Sequence, residues 1–448
     1  MKKFDELAMT PFVKKVTIFS SGGAFLDGYV LSIIGVALVQ LNVELQLTAT
    51  WSALIGAAAL AGIFVGTILG GYLTDIIGRK RMFTLDVIAI GVLSILCIFL
   101  GSALQLAILR FLIGFFVGAD YPIATSLIAE YTPKHHRAKS MGAVAASWYL
   151  GATVAALVGY AFYSVDGGWQ WMLGSSALPS LILLIGRHGI PESPMWLARK
   201  GRSEEARRVV YEVFGPDVIF EYEEPRDIRL STLFKKGYFG RVMYLGVFIL
   251  CQVVPMYAIY TFGPDIMSAF GLGEGHESIL GEAIISIMFL VGSFPAMYWL
   301  NRFGRRDTVL VSLALMTVGL LILGLWPDAP IYIIVFAFAL YAFFQGAPSI
   351  LQWLYPNELF PTEVRASAVG IAIGFSRVGT VISTYLLPIA LEQWGVGITM
   401  LVGAALVFIG FASSFFLAPE TTNKSLQETS SLNMKVEHHH LPIHQSKK

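Results

Sequence analysis

From Trp51 to Gly70 the chain runs twenty residues without a charge, and from Met82 to Leu104 it admits only Asp86. Runs of this kind recur through all 448 residues, of which 56% are hydrophobic and 14% charged. A soluble globular chain carries about 25% charged residues, so a single watery core is excluded. Each run matches the length of a helix crossing about 30 Å of hydrocarbon, where every backbone group must bond within the segment. The expected fold class is an all-α polytopic membrane protein. Twelve spans are predicted, near 16–41, 52–74, 82–103, 106–129, 140–163, 169–189, 240–266, 279–300, 308–326, 330–355, 366–390 and 396–418.

The charges between the runs are sorted. Loops after even-numbered spans hold Arg79-Lys80-Arg81, Lys134 to Lys139, the 190–239 segment, Arg302 to Arg306, and Arg365. Loops after odd-numbered spans hold Glu44, Asp166, Glu274, Glu277, Asp328 and Glu392, with no Lys or Arg. Because basic loops stay on the cytoplasmic side, both termini are expected there, in an inner (cytoplasmic) membrane. The basic start with Lys2, Lys3, Lys14 and Lys15 resembles a signal peptide, but the run from Val16 to Leu41 is too long and lacks a cleavage site. Cys97 and Cys251 lie inside apolar runs, so no disulfide framework is expected.

Four regions follow: a six-helix half over 1–189, a linker over 190–239, a second six-helix half over 240–418, and a polar tail over 419–448. The linker is expected to hold a short amphipathic helix with Ser203 as N-cap and Glu204 and Glu205 in its first turn, ending at Gly215-Pro216. The tail histidines His438, His439, His440 and His444 have no acidic or cysteine partners to complete a metal site, and the tail is expected to be disordered. The halves repeat. Gly78-Arg79-Lys80 recurs 226 positions later as Gly304-Arg305-Arg306, and Glu130, Pro133, Arg137 and Gly142 recur 228 later as Glu358, Pro361, Arg365 and Gly370. Parallel repeats of this type place a substrate site between the halves near mid-membrane.

The loop pattern Gly71-x-Leu73-x-Asp75-x-x-Gly78-Arg79-x-Arg81 resembles the loop 2/3 motif of the major facilitator superfamily. Pro191-Glu192-Ser193-Pro194-x-Trp196-Leu197, the run from Trp353 to Arg365, Pro419-Glu420-Thr421 and Arg110-x-x-x-Gly114 resemble motifs of its sugar-porter branch, although Met195 stands where Arg is usual. The runs Phe25-Leu26-Asp27-Gly28-Tyr29 and Gly118-Ala119-Asp120-Tyr121-Pro122 resemble bacterial metabolite transport proteins of the sugar-porter-like group, which are also akin to organic-ion and niacin-type carriers. The resemblance implies twelve transmembrane helices in two six-helix repeats and transport by alternating access. One departure bears on the ligand. Hexose porters carry a Gln-Gln pair and a Ser-Gly-x-Asn stretch in span seven, whereas this chain has Cys251-Gln252-Val253-Val254-Pro255-Met256-Tyr257. The shared motifs serve gating and leave the substrate unnamed.

Ionisable groups at membrane depth are costly and mark function. Asp27 falls near the middle of span one, and three roles are open: carrying a proton, pairing permanently with Arg110, or touching substrate. Asp120 lies almost three turns beyond Arg110, so both fall near one helix face. Arg377 in span eleven suits a substrate carboxylate or phosphate, or a partner across the halves. With Asp120, Tyr121 and Arg377, the residues Trp148, Tyr149, Gln252, Tyr257, Tyr260, Gln345 and Gln352 form the candidate substrate set. Gly71, Asp75, Gly78, Arg79, Arg81, Glu130, Arg137, Arg305, Glu358 and Arg365 form a candidate gating set at the cytoplasmic ends.

The expected function is secondary active transport, by proton-coupled symport, of a small polar metabolite such as a sugar, polyol or organic acid. A proton antiporter or exporter, an uncoupled facilitator and a transport-inactive nutrient sensor are the alternatives. The partners are the substrate, protons and the bilayer, with no nucleic acid and nothing that requires more than a monomer. No cofactor is expected, and the absence of a nucleotide-binding loop, metal cluster or nucleophile triad argues against an enzyme.

Overall fold

The computed structural model describes residues 2–3, 10–132, 134–215, 218–219, 238–271, 273, 276–360 and 362–422. At scattered positions inside its helices only the backbone is described. The first half comprises α1 (Pro11–Glu44), α2 (Ala49–Ile77), α3 (Arg79–Leu96), α4 (Ala103–Tyr131), α5 (Lys134–Phe162), α6 (Gly168–Gly174) and α7 (Ala177–Arg187). Two short helices follow, α8 (Pro194–Arg199) and α9 (Ser203–Phe214). The second half holds α10 (Tyr238–Ala269), α11 (His276–Arg302), α12 (Arg305–Leu325), α13 (Ile331–Phe344), α14 (Gly346–Leu359) and α15 (Thr362–Leu417). Lys2–Lys3 and Val218–Ile219 form a two-residue parallel pairing beside this all-helical body.

Among the described residues, eleven helical stretches are long and apolar enough to cross a membrane. The last, Ile371–Leu417, has 47 residues. At 1.5 Å per residue that is about 70 Å, more than twice the hydrocarbon thickness. It turns back at Gly395, whose φ of +76° a side chain would resist, and so supplies two crossings for a total of twelve. α6 and α7 share one crossing, as do α13 and α14, which meet at Gln345.

Helix starts follow the local chemistry. Thr10, before Pro11, accepts a hydrogen bond from the Val13 amide at 3.2 Å, and Thr48 one from Trp51 at 3.4 Å. Ser203 does not cap the linker helix as expected: it is already helical, and Arg202 stands at the cap position without a side-chain bond. Cys97 and Cys251 are buried and unlinked.

Hydrocarbon is as apolar as a helix flank, so packing in the membrane relies on close approach. α2 and α4 show this. A Cβ placed on Gly62, Gly66, Gly114 or Gly118 would run into the backbone carbonyl of Phe111, Phe115, Ala59 or Ile63 on the facing helix. Arg110-x-x-x-Gly114 is therefore one edge of a small-residue seam. The most enclosed crossings are α1, with 83% of its apolar window buried, and α10, with 78%, which puts the first helix of each half at the centre. Leu96, Phe99, Leu178 and Phe336 point outward, as lipid-facing side chains should.

Gly66→Val is expected to cost about 1–3 kcal/mol through overpacking. It should lower the thermal unfolding midpoint of detergent-purified protein, whereas Gly101→Val, where a Cβ meets nothing within 4 Å, should leave it unchanged.

Candidate functional site

A small central cavity lies between the halves, bounded by α1, α4, α5, α10, α14 and α15. Six expected substrate-site residues line it: Tyr121, Trp148, Tyr149, Tyr257, Gln352 and Arg377. Ser349, Trp353 and Met256, none of them in the candidate substrate set, line it too, with the small apolar Ala24, Val144 and Ala145.

Arg377 is the cation of this cavity. It is 5% exposed and lies 5.1 Å from the ring centre of Tyr257 and 5.7 Å from that of Tyr121. Its Nε and Nη1 have no hydrogen-bond partner among the described residues. The three glutamines form a chain behind the wall. Gln345 Nε2 donates to Gln252 Oε1, and Gln252 Nε2 donates to Gln352 Oε1 at 2.8 Å, so Gln352 brings the chain to the cavity. Gln252 and Gln345 act through it and do not line the space.

Aromatic contacts between the halves close the cavity at both ends. Toward the basic loops, Tyr121 of α4 meets Trp353 of α14 with ring centres 5.7 Å apart. Toward the opposite end, Trp148 of α5 meets Tyr260 of α10 at 5.1 Å, and Tyr149 of α5 stacks on Phe289 of α11 at 5.4 Å. The Tyr149 hydroxyl also bonds to Ser349 across the halves.

Asp27 is 1% exposed, and neither carboxyl oxygen has a hydrogen-bond partner among the described residues. The charges that act on it are those of Asp120, Arg187 and Arg377. Arg110 is not its partner. Its Nη1 donates to the Val30 carbonyl at 2.7 Å, tying α4 to α1 through backbone.

Asp120 also differs from its expected place. Its carboxylate accepts from Arg187 Nη2 at 3.2 Å, while Arg187 Nη1 reaches Asp86 at 3.1 Å and the Phe83 carbonyl at 2.5 Å. The guanidinium also stacks 3.4 Å from the centre of the Phe83 ring. This buried triad sits beside the cavity wall, and Gly23 makes room for it, since a Cβ there would strike Asp120. Sequence reasoning missed Arg187 because it borders the basic linker and reads as one more flanking cation. Its five apolar predecessors, Leu181 to Ile185, were the available signal.

The expected gating residues divide. Gly71, Asp75, Glu130, Arg137 and Arg365 lie outside the residues whose side chains are described. Gly78 and Gly304 turn the chain at φ +108° and +97°. At each turn a carboxylate caps the next helix: Glu192 accepts from the Arg79 and Lys80 amides, and Glu420 from the Arg305 and Arg306 amides. Glu192 and Glu420 are 228 positions apart, so Pro191-Glu192-Ser193 and Pro419-Glu420-Thr421 are one repeated device. A Cβ on either glycine would lie 2.5 Å from the capping carboxylate. Arg305 meets Glu358 at 3.3 Å. Each of these contacts stays inside its own half. Arg81 is exposed.

Comparison with known proteins gives the setting. The family described as Sugar (and other) transporter matches residues 15–432. The chain belongs to this family. It is 50% identical to YaaU of Escherichia coli (strain K12), named as a metabolite transport protein, over 97% of this chain and 98% of that one. It is 34% identical to the inner membrane metabolite transport protein YgcS of the same strain, over 97% and 98%. The fold matches the xylose transporter XylE from E. coli in a partially occluded inward open conformation, with TM-score 0.79, 20% identity, and coverage of 93% of this chain and all of that one. The chain is thus a multi-pass membrane transporter of the sugar-porter branch, and not an enzyme.

Removing Arg187 strands two buried carboxylates, so Arg187→Leu is expected to cost about 3–5 kcal/mol, read as a lowered unfolding midpoint. At the cap, burial is the largest influence on Glu420 and raises its pKa. The Thr422 hydroxyl and the amides of Thr422, Arg306 and Arg305 more than offset it and hold the carboxyl below its ordinary 4.5. Its stabilisation is therefore complete above that value and fades as pH falls through the depressed one. Glu420→Gln should lower the midpoint at neutral pH by about 1 kcal/mol and flatten its decline in acid, measured by thermal unfolding across pH.

Proposed function

We propose that the protein is a proton-coupled symporter that takes up a small polar metabolite bearing a carboxylate, by alternating access across the cytoplasmic membrane. The basic loops and both termini face the cytoplasm. The observation that carries this reading is the pairing of opposites at the centre: a buried Asp27 carboxyl and a buried Arg377 guanidinium, both incompletely bonded, one from each half.

The coupling follows from charge balance. With the site empty, Asp27 ionised and Arg377 charged, the centre is neutral as a pair. A proton on Asp27 leaves Arg377 uncompensated, and a substrate carboxylate on Arg377 restores neutrality. Proton alone or anion alone leaves a bare charge in a water-poor site, at a cost of several kcal/mol. Only the empty and the doubly loaded carrier then reorient readily, which is symport. Tyr257, Trp148 and Tyr121 offer flat faces to the body of the ligand, and Gln352 offers an amide. The halves rock about this site, parting Tyr121 from Trp353 at one end and Trp148 from Tyr260 at the other, while the capped loops keep each half rigid. A neutral sugar or polyol is the second reading, favoured by the family and by the glutamine chain.

In proteoliposomes carrying an internal pH dye, a panel of carboxylates, nicotinate, sugars and polyols separates these readings. A carboxylate should drive internal acidification that Asp27→Asn abolishes, and Arg377→Gln should weaken its uptake about thirtyfold or more. Tracer flux without proton entry, unchanged in Asp27→Asn, would make the protein a facilitator. Uptake of a neutral sugar indifferent to Arg377→Gln would remove the anion. Binding without flux would make it a sensor, and proton exit on substrate entry would make it an antiporter.

A further inference from the structure

Between α10 and α11, toward the end of the bundle away from the basic loops, lies a buried acid that the symport scheme leaves idle. Glu282 sits in the second turn of α11, is 1% exposed, and neither of its carboxyl oxygens has a hydrogen-bond partner among the described residues. Gly263 of α10 admits it: a Cβ there would come within 2.7 Å of the Glu282 Cγ and 2.9 Å of its Cδ. The carboxyl therefore lies directly against the α10 backbone.

That backbone is broken at the same place. Phe262 is non-helical, with φ −130° and ψ +29°, and Pro264 has no amide proton to return to the Tyr260 carbonyl. Asp265, half-buried one residue past Pro264, is the charge that faces Glu282. The buried Tyr260 hydroxyl interacts electrostatically with Glu282 and lies beside the Ser286 hydroxyl, one turn further along α11. Its ring is the one that meets Trp148 at the cavity.

Among the described residues, the remaining neighbours of α11 supply no Lys or Arg at this depth. α13 presents Tyr341, whose hydroxyl is also unbonded, and α5 presents Tyr149. His276, in the first turn of α11, is engaged with Ser164 at 2.5 Å and with the rings of Tyr160 and Tyr163. Arg305, Arg306 and Asp307 of α12 and Glu358 of α14 sit at the opposite, basic end. The triad of Asp86, Arg187 and Asp120 shows how this protein answers buried carboxylates elsewhere, with a guanidinium. Around Glu282 there are two acids, the hydroxyls of Tyr260 and Ser286, and an opened helix. Unwound backbone beside a carboxylate is how membrane carriers hold small cations.

We propose that Glu282, Asp265 and the Tyr260 hydroxyl form a second site, separate from Asp27, for a monovalent cation, either a proton or a sodium ion. The site lies at the break in α10. Its filling changes the charge against Gly263 and Pro264, and Tyr260 transmits that change to Trp148. Occupancy thereby sets how firmly this end of the cavity is closed.

Infrared difference spectra of the full-length protein in lipid vesicles test this, taken between acid and alkaline buffers, first in choline chloride and then in sodium chloride. A protonated-carboxyl band should be present in the wild type, kept by Asp27→Asn and lost in Glu282→Gln. If the ion is a proton, the band follows pH and ignores sodium. If it is sodium, the band disappears at constant pH when sodium replaces choline. Glu282→Asp should shift the band, and Tyr260→Phe should displace it without removing it, so the assignment survives poor folding of any one variant. Spectra of Glu282→Gln that match the wild type in both salts would overturn the proposal. So would a Glu282 band that responds to neither pH nor sodium, because the acid would then be a permanently neutral packing group.

Discussion

Charge balance at the centre of the bundle is the constraint on which the rest depends. Deep in its helices, among the described residues, the first half buries three carboxyls, Asp27, Asp86 and Asp120, against two guanidiniums, Arg110 and Arg187. Arg187 answers Asp86 and Asp120, and Arg110 is spent on the Val30 carbonyl. Asp27 is left over, and the cation available to it beyond the triad, Arg377, belongs to the other half. In a low-dielectric interior such an imbalance is worth several kcal/mol. In the symport reading proposed above, the two halves share a charge relation across the cavity that one proton on Asp27 would dissolve. A carrier whose halves must part and rejoin needs a contact of this kind, strong in one protonation state and weak in the other.

Packing is arranged so that only this relation changes. Within each half the helices approach to backbone contact, as at Gly62, Gly66, Gly114 and Gly118, and carboxylate caps bind the loops to their own half. Between the halves the contacts described around the cavity are mostly aromatic edges and faces: Tyr121 with Trp353, Trp148 with Tyr257 and Tyr260. Such contacts are worth about 0.5–1.5 kcal/mol each beyond burial, and they have broad angular optima. They can be made and broken without leaving polar groups stranded, which suits a surface that slides. Polar contacts join them: the Tyr149 hydroxyl bonds to the Ser349 hydroxyl, and Arg377 stands over the Tyr121 ring.

Depth in the membrane was legible from the chain, and azimuth was not. Run length and loop charge locate twelve crossings because a bilayer has one thickness, and the 226- and 228-residue offsets expose the duplication. Nothing comparable marks which way a side chain points, since lipid and neighbouring helix are equally apolar and leave little periodic trace. Arg110 was a fair partner for Asp27 by depth, yet it faces α1 backbone. Arg187 sits at the depth of a flanking cation and turned inward to two acids. Glu282 passed as part of an apolar span, and only the packing of Gly263 against it shows how it is accommodated. The cavity residues fared better, because Tyr121, Trp148, Tyr149, Tyr257, Gln352 and Arg377 are polar or aromatic groups at mid-depth, where lipid exposure is costly.

The duplication then explains why the halves are unequal. Symmetric devices survive where the task is the same in both, as with Glu192 and Glu420 capping the helices after Gly78 and Gly304. Where the task is to hold charge, the copies diverge: Asp75 of the first loop has become Asn301 in the second, and Asp27, the acid the first half leaves unanswered, has its cation in Arg377 of the second. Two identical halves would place like charges opposite each other across the cavity, and those would repel in every state. A coupled carrier requires opposite charges there, and a duplicated fold reaches them only by letting its two copies differ at the centre while keeping their edges alike.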